Sequence, residues 1–214
     1  MDGSTRASST FHGIPEHPAG LGSSQIELRV QAIGFAARGW SVVPGTYPEG
    51  DRWTGHHDEG PVPVHPDWRT RPTATPDQVV SWWSERPYSL LVATGGAVEA
   101  IEVDAELGRR TARVIRMVGA PVPIVATPRG RWYFLHSGGR TMLPELADVP
   151  GIRWHSTGSW LPMPPSAFPG GAVHWRVGLD VCGWRLPSSA YVQDALRAGR
   201  GNYENVAEVV AAAR

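Results

Sequence analysis

From Gln25 to Arg38 apolar side chains recur at Ile26, Val30, Ile33 and Phe35, with Ser24 placed to cap the first turn and Gly39 to end the last. That spacing predicts an amphipathic helix. Trp40 to Val43 reads as a short strand. Pro44 to Thr73 is rich in Pro, Gly, His and Asp and has no periodicity, so it reads as one long irregular loop, a length at which loops often carry function. Thr75-Pro76-Asp77 supplies an N-cap, a first-turn proline and an acidic first turn, and opens a second helix through Trp82 and Trp83 to about Glu85.

Ser89 to Thr94 and Val98 to Asp104 are apolar runs on either side of Gly95-Gly96, predicted as two buried strands joined by a tight turn. Gly108 to Val118 reads as a helix. Its arginines at 109, 110, 113 and 116 form a stripe suited to solvent or, as the sharper alternative, to a phosphate backbone. Val122 to Ala126 and Arg131 to Leu135 flank Thr127-Pro128-Arg129-Gly130 and predict a hairpin. Ile152 to Trp154, Trp160 to Met163 and Val173 to Val177 are short strands, and Ser188 to Arg214 is helical with a break at Gly199 to Gly201. Strands clustered in mid-chain with helices before and after predict an α+β fold with a mixed or antiparallel sheet. Residues 1–23 lack an apolar core behind a basic patch and read as a disordered leader, not a signal peptide. One domain over residues 24–187 and a helical tail over 188–214 complete the expected organisation.

A length of 214 residues suits one sizeable core. No apolar run approaches the roughly 20 residues that cross a bilayer, so a cytoplasmic protein with no membrane partner is expected. The sole cysteine, Cys182, excludes an internal disulfide and a cysteine-based zinc site. Formal net charge is zero, which gives no bulk attraction to a polyanion. All 20 Lys/Arg positions are arginine, a usage that fits a GC-rich bacterial genome and removes any Schiff-base or P-loop lysine.

The clearest chemical pattern is Ile101-Glu102-Val103-Asp104. Residues two apart on a strand share a face, so the two carboxylates project together. Such a pair suits Mg²⁺ or Mn²⁺, or else marks a strand end where acids meet arginines such as Arg109. A second cluster, His56-His57-Asp58-Glu59 with His65, sits in the long loop; adjacent side chains on one segment satisfy tetrahedral zinc poorly, and a solvated polar loop is the expected role. Most of the ten tryptophans belong to the core, with Trp132 and Trp154 reserved as candidates near a cleft.

Several segments in order resemble the archaeo-eukaryotic-type bifunctional DNA primase/polymerase family. LLVATGGAVEAIEVDAELG is similar to its "G-(V/L)-A-T-G" followed by a strand ending in D-x-D or D-x-E. TATPDQVVSWWSERP is similar to "A-T-T-D-x-x-x-I-x-x-W-W", and ATPRGRWYFL to "T-P-S-G-G-R-H-L-Y-F". GIRWHSTGSWLPMPPS followed by VHW is similar to "G-V-D-V-R-G-x-G-G-Y-V-V-A-P-P-S" followed by "Y-x-W". The resemblance covers about Ala32 to Trp175 and implies an RRM-related core.

It also implies that Glu102 and Asp104 are the catalytic, metal-binding pair. Trp132 falls on the family's triphosphate-contacting histidine and Arg153 on its third metal-binding carboxylate. Exchanging a −1 ligand for a +1 group turns attraction to a cation into repulsion. The implied function is a catalytically degenerate primase/polymerase-like domain in replication or repair. It would bind nucleotide or DNA through Arg129, Arg131, Trp132, Arg153 and His155, without zinc and with Mg²⁺ or Mn²⁺ only if active. Two alternatives stand beside it: an active metal-dependent nucleotidyltransferase using Glu102 and Asp104, and a non-catalytic module that docks a replication protein. All three place Glu102, Asp104, Trp132 and Arg153 around one cavity, with His155 and His136 displaced too far along their strands to take over a missing role.

Overall fold

The computed structural model describes residues 19–50, 52–54, 60–70, 75–139, 141–201 and 209–211. Helix α1 (Ala19–Ala36) is followed by β1 (Val42–Gly45), the short pair β2 (Pro48–Glu49) and β3 (Arg52–Trp53), and helix α2 (Pro76–Glu85). Next come β4 (Ser89–Ala93), β5 (Glu99–Asp104), α3 (Ala105–Val118), β6 (Ile124–Ala126), β7 (Arg131–His136), the single turn α4 (Pro144–Ala147) and β8 (Arg153–His155). The chain continues with β9 (Trp160–Pro162), β10 (Ala167–Phe168), β11 (Gly171–Ala172), β12 (His174–Val177) and α5 (Ser189–Arg200). All strand ladders are antiparallel, in open sheets, and the α+β expectation holds.

A five-stranded sheet in the order β12-β6-β7-β5-β8 forms the centre, beside a three-stranded sheet in the order β1-β4-β9. The pleat divides the large sheet into two faces. Ile101, Val103, Ile124, Trp132 and Phe134 point to one face and pack with α3 and α5 through Leu107, Val114, Val192 and Leu196. Ala100, Val125, Tyr133 and Leu135 point to the other, into a core shared with α1, α2 and the small sheet.

Local chemistry explains the elements that were read correctly. Thr75 and Gln78 close a reciprocal capping box on α2. Gly119, in the left-handed conformation, ends α3 by donating its N–H to the Ile115 carbonyl. The predicted hairpin around Pro128-Arg129 is the β6–β7 ladder.

Four expectations need correction. Gly95-Gly96 does form a tight turn, closed by Gly95 N–H to the Val98 carbonyl, but the flanking strands do not pair. β4 joins the small sheet and β5 the large one, and each takes a central position with a paired strand on both sides. The long loop contains the β2–β3 hairpin. On α1 the buried stripe is Leu28, Ala32 and Phe35, whereas Ile26 and Val30 are more than half exposed. Finally, α1 begins at Ala19, within the stretch expected as a leader, whose first 18 residues lie outside the described ones. Among the described residues no helix is long and apolar enough to cross a membrane.

α3 sits so close to the sheet that a Cβ on Gly108 would meet the Trp132 indole at 2.7 Å. Gly108→Ala should therefore destabilise the protein by about 1–3 kcal/mol through overpacking, read as a lower urea midpoint; an unchanged midpoint would show that α3 is not seated on Trp132.

Candidate functional site

The central feature lies on the face of the large sheet opposite α3. Register pairs Glu102 of β5 with Tyr133 of β7 on one side and with Arg153 of β8 on the other. Asp104 pairs with Arg131, and Ala100 with His155. Cross-strand partners share a face, so Glu102, Asp104, Arg131, Tyr133, Arg153 and His155 all belong to it. All of them except Asp104 border an open cleft of about 810 Å³, closed on the far side by Pro61, Trp160 and Phe168.

Glu102 is buried, with 6% of its surface exposed. Arg131 donates from Nε to its Oε1 at 2.6 Å, and His155 Nε2 meets its Oε2 at 2.7 Å. Arg131 also donates to the Gly151 carbonyl at 2.6 Å, and His155 Nδ1 lies 2.7 Å from the Ser159 hydroxyl. Burial alone pushes the Glu102 carboxyl upward, yet hydrogen bonds from His155 and Arg131, with their charges, outweigh it and hold the pKa below the ordinary carboxylate value. Tyr133, against the His155 ring at 5.5 Å, has its phenol pushed up by burial and by the Glu102 charge.

Asp104 does different work. Its Oδ1 accepts from the backbone N–H groups of Glu106 and Leu107 at 2.8 and 2.9 Å, making it the N-cap of α3. The bond from Leu107 is the main reason its pKa falls below the usual range. The Asp-Ala-Glu-Leu sequence carried this capping signal.

The structure moves two aromatic candidates out of the cleft. Trp132 is paired with Val103 and Trp154 with Ile101, so both lie on the α3 side. Trp132 is buried against α3, and Trp154 donates to Glu99 at 2.9 Å. The cause is strand parity: one step along β7 or β8 reverses the face. His136 shares the Trp132 side, with its ring 4.8 Å from Trp154. Seating the Tyr-Phe end of "H-L-Y-F" on Tyr133-Phe134 places the histidine of that pattern at Arg131, which does face the cleft, with the turn two residues shorter. His155 also departs from expectation, since it reaches Glu102 diagonally from the neighbouring strand. Arg129 lines the cleft from the β6–β7 turn. Sequence reasoning missed Ser159 and Tyr133; alternation two residues on from Arg131 along β7 is the signal that finds Tyr133, whereas Ser159 lies in the connection between β8 and β9, where strand alternation gives no signal.

The donor set does not fit a pair of Mg²⁺ or Mn²⁺ ions. Both Glu102 oxygens already accept from cationic or N–H partners, Asp104 is committed to a helix end, and a guanidinium stands at Arg153. Among the described residues no group of three or more His, Cys, Asp or Glu can hold a metal. His56-His57-Asp58-Glu59 lies outside the described residues; His65 packs its ring 5.8 Å from Trp82. The arginines of α3 are exposed, and Arg110 faces Glu106 at 3.8 Å.

Because the folded pKa of Glu102 is depressed, its stabilisation is present above the ordinary value of 4.5 and disappears as pH falls through the folded value. Glu102→Gln should cost about 3 kcal/mol at neutral pH by stranding Arg131. The gap between mutant and wild-type urea midpoints should narrow on acidification below pH 4.5; a gap that stays constant down to pH 3 would rule out the ion pair as its source.

No curated protein matches the chain. The family model described as bifunctional DNA primase/polymerase, N-terminal, matches residues 32–188, and with most of its length so matched the chain belongs to the bifunctional DNA primase/polymerase N-terminal domain family.

Proposed function

We propose that this domain is a catalytically degenerate member that binds the phosphates of a nucleotide or a DNA end directly through guanidinium groups, in a replication or repair setting. The family is generally metal-dependent. The observation that carries the proposal is the state of Glu102: both of its oxygens are taken by Arg131 and His155, and its cross-strand neighbour is Arg153. A cleft that would need three acidic oxygens to hold metal instead presents Arg129, Arg131 and Arg153 around a single carboxylate.

The roles follow from the geometry. Glu102 and the Gly151 carbonyl fix the plane of Arg131. Arg129 and Arg153 have no ion-pair partner among the described residues, so each is available for bidentate contact with a phosphate. Trp160 and Phe168 on the opposite wall offer apolar surface to a base or sugar. Neutral overall charge agrees with recognition by a few placed cations instead of by a general field.

A second reading, an active metal-dependent nucleotidyltransferase, is favoured by family membership alone. Titration calorimetry with a nucleoside triphosphate and with 5′-phosphorylated single-stranded DNA separates the two. Binding should persist in EDTA, weaken as salt rises, and fall about tenfold in Arg153→Ala, the loss of roughly one charged hydrogen-bonding contact. Unchanged affinity in Arg153→Ala defeats the proposal. Template-dependent extension with Mg²⁺ or Mn²⁺ that vanishes in Glu102→Ala and Asp104→Ala establishes the active enzyme in its place.

A further inference from the structure

Ser159, His155 and Glu102 form an unbroken hydrogen-bonded chain along the wall of the cleft. Ser159 Oγ lies 2.7 Å from His155 Nδ1, and His155 Nε2 lies 2.7 Å from Glu102 Oε2. All three residues border the cleft. Glu102, ion-paired to Arg131, is a carboxylate and can only accept. Hydrogen-bond logic then places a hydrogen on Nε2. With that hydrogen on Nε2, the neutral tautomer of the ring has its lone pair on Nδ1, facing the serine, and in that form the Ser159 hydroxyl donates to it.

We propose that Ser159 is a nucleophile, activated by His155 as general base with Glu102 holding the imidazole, and that the cleft hydrolyses a phosphodiester by way of a covalent phosphoseryl intermediate. A nucleophile, a base within hydrogen-bond reach and a third group orienting the base are the parts such chemistry requires, recognised by geometry and not by chain order. The ring is used in reverse, with Nδ1 toward the serine. Either imidazole nitrogen serves, provided the other is held by an acceptor.

The chain of contacts exceeds what burial of Glu102 demands. Arg131 alone neutralises that carboxylate, whereas the His155–Ser159 bond adds nothing to its charge balance and leads outward to the cleft. His155 itself is 9% exposed and held from three sides, by Glu102, by Ser159 and by the Tyr133 ring. A base fixed in one rotamer and one tautomer costs little reorganisation when it acts.

The choice of a phosphodiester rests on the proposed reading of the cleft as a phosphate site. Arg153 projects from the same face of β8 as His155, two residues away or roughly 7 Å along the strand. Its charge is placed to offset that of the phosphate oxygens. In the first step Ser159 Oγ bonds to phosphorus and the bond from phosphorus to the leaving oxygen breaks. The serine proton passes to His155 Nδ1 and then to the leaving alkoxide, which departs as an alcohol. In the second step water bonds to phosphorus, its proton passes through His155 to Ser159 Oγ, and the Oγ–P bond breaks. The sum is one phosphodiester and one water giving one phosphomonoester and one alcohol, with no change of oxidation state.

The test uses the full chain in EDTA with p-nitrophenyl thymidine 5′-phosphate as substrate and a fluorophosphonate as trapping reagent. Wild type should release p-nitrophenolate and carry the phosphonyl group on Ser159 in peptide mass spectrometry. Ser159→Ala, checked for an unchanged thermal midpoint, should lose both signals, with turnover down at least 100-fold. His155→Gln should keep Ser159 but label at least tenfold more slowly. A wild type that neither turns over nor labels, or a His155→Gln that labels at the wild-type rate, overturns the relay. Calorimetric binding of thymidine 5′-triphosphate to Ser159→Ala distinguishes the two readings. Binding without chemistry in wild type sinks the nucleophile and leaves the phosphate site standing, whereas absence of binding sinks the phosphate site itself.

Discussion

A carboxylate buried beneath a β-sheet must be matched by cations or become protonated, and Glu102 meets that constraint with two partners drawn from two neighbouring strands. Arg131 reaches it from β7 and His155 from β8. The clamp ties β7, β5 and β8 together from the cleft side, and through Gly151 it also fixes the turn that leads into β8. Removing Arg131 would leave an uncompensated charge at the middle of the domain.

The clamp also explains how a fold shared with metal-dependent polymerases presents different chemistry. On the proposed reading Glu102 holds the place of the family's first acidic residue, with both of its oxygens already engaged by Arg131 and His155. Its neighbour Asp104 has become the cap that starts α3, where two backbone N–H groups would otherwise be unsatisfied. With a guanidinium opposite Glu102, the site offers positive charge where a divalent ion would require negative. Cations held on a rigid sheet suit anionic ligands, and the serine hydroxyl at the end of the hydrogen-bonded chain gives that same cleft a potential reacting atom.

The two faces of the central sheet divide the labour. On the α3 side the odd-numbered residues of β5 meet Trp132 and Phe134 in a dry core. On the cleft side the even-numbered residues of β5 meet Arg131, Tyr133 and, across the other ladder, Arg153 and His155. A displacement of one residue between strands would exchange the two sets, which is why an indole assigned to the cleft from the sequence lies in the core instead.

Signals confined to a few consecutive residues were legible without coordinates. Thr75-Pro76-Asp77 determined where α2 begins, the Pro128-Arg129-Gly130 turn determined the β6–β7 hairpin, and the order of motifs determined the family. Glu102 was visible with Asp104 as a pair of acids sharing one face of an otherwise apolar strand. Only the tertiary structure decided that β4 and β5 part into different sheets, that α1 buries Leu28 and Ala32 and leaves Ile26 and Val30 outside, and that His155 and Ser159 converge on Glu102. The reason is physical: capping and turn geometry depend on neighbours in sequence, whereas strand register and the partners of a buried charge depend on residues far along the chain, 29 positions from Glu102 for Arg131 and 53 for His155, whose placement is set by the packing of the whole core.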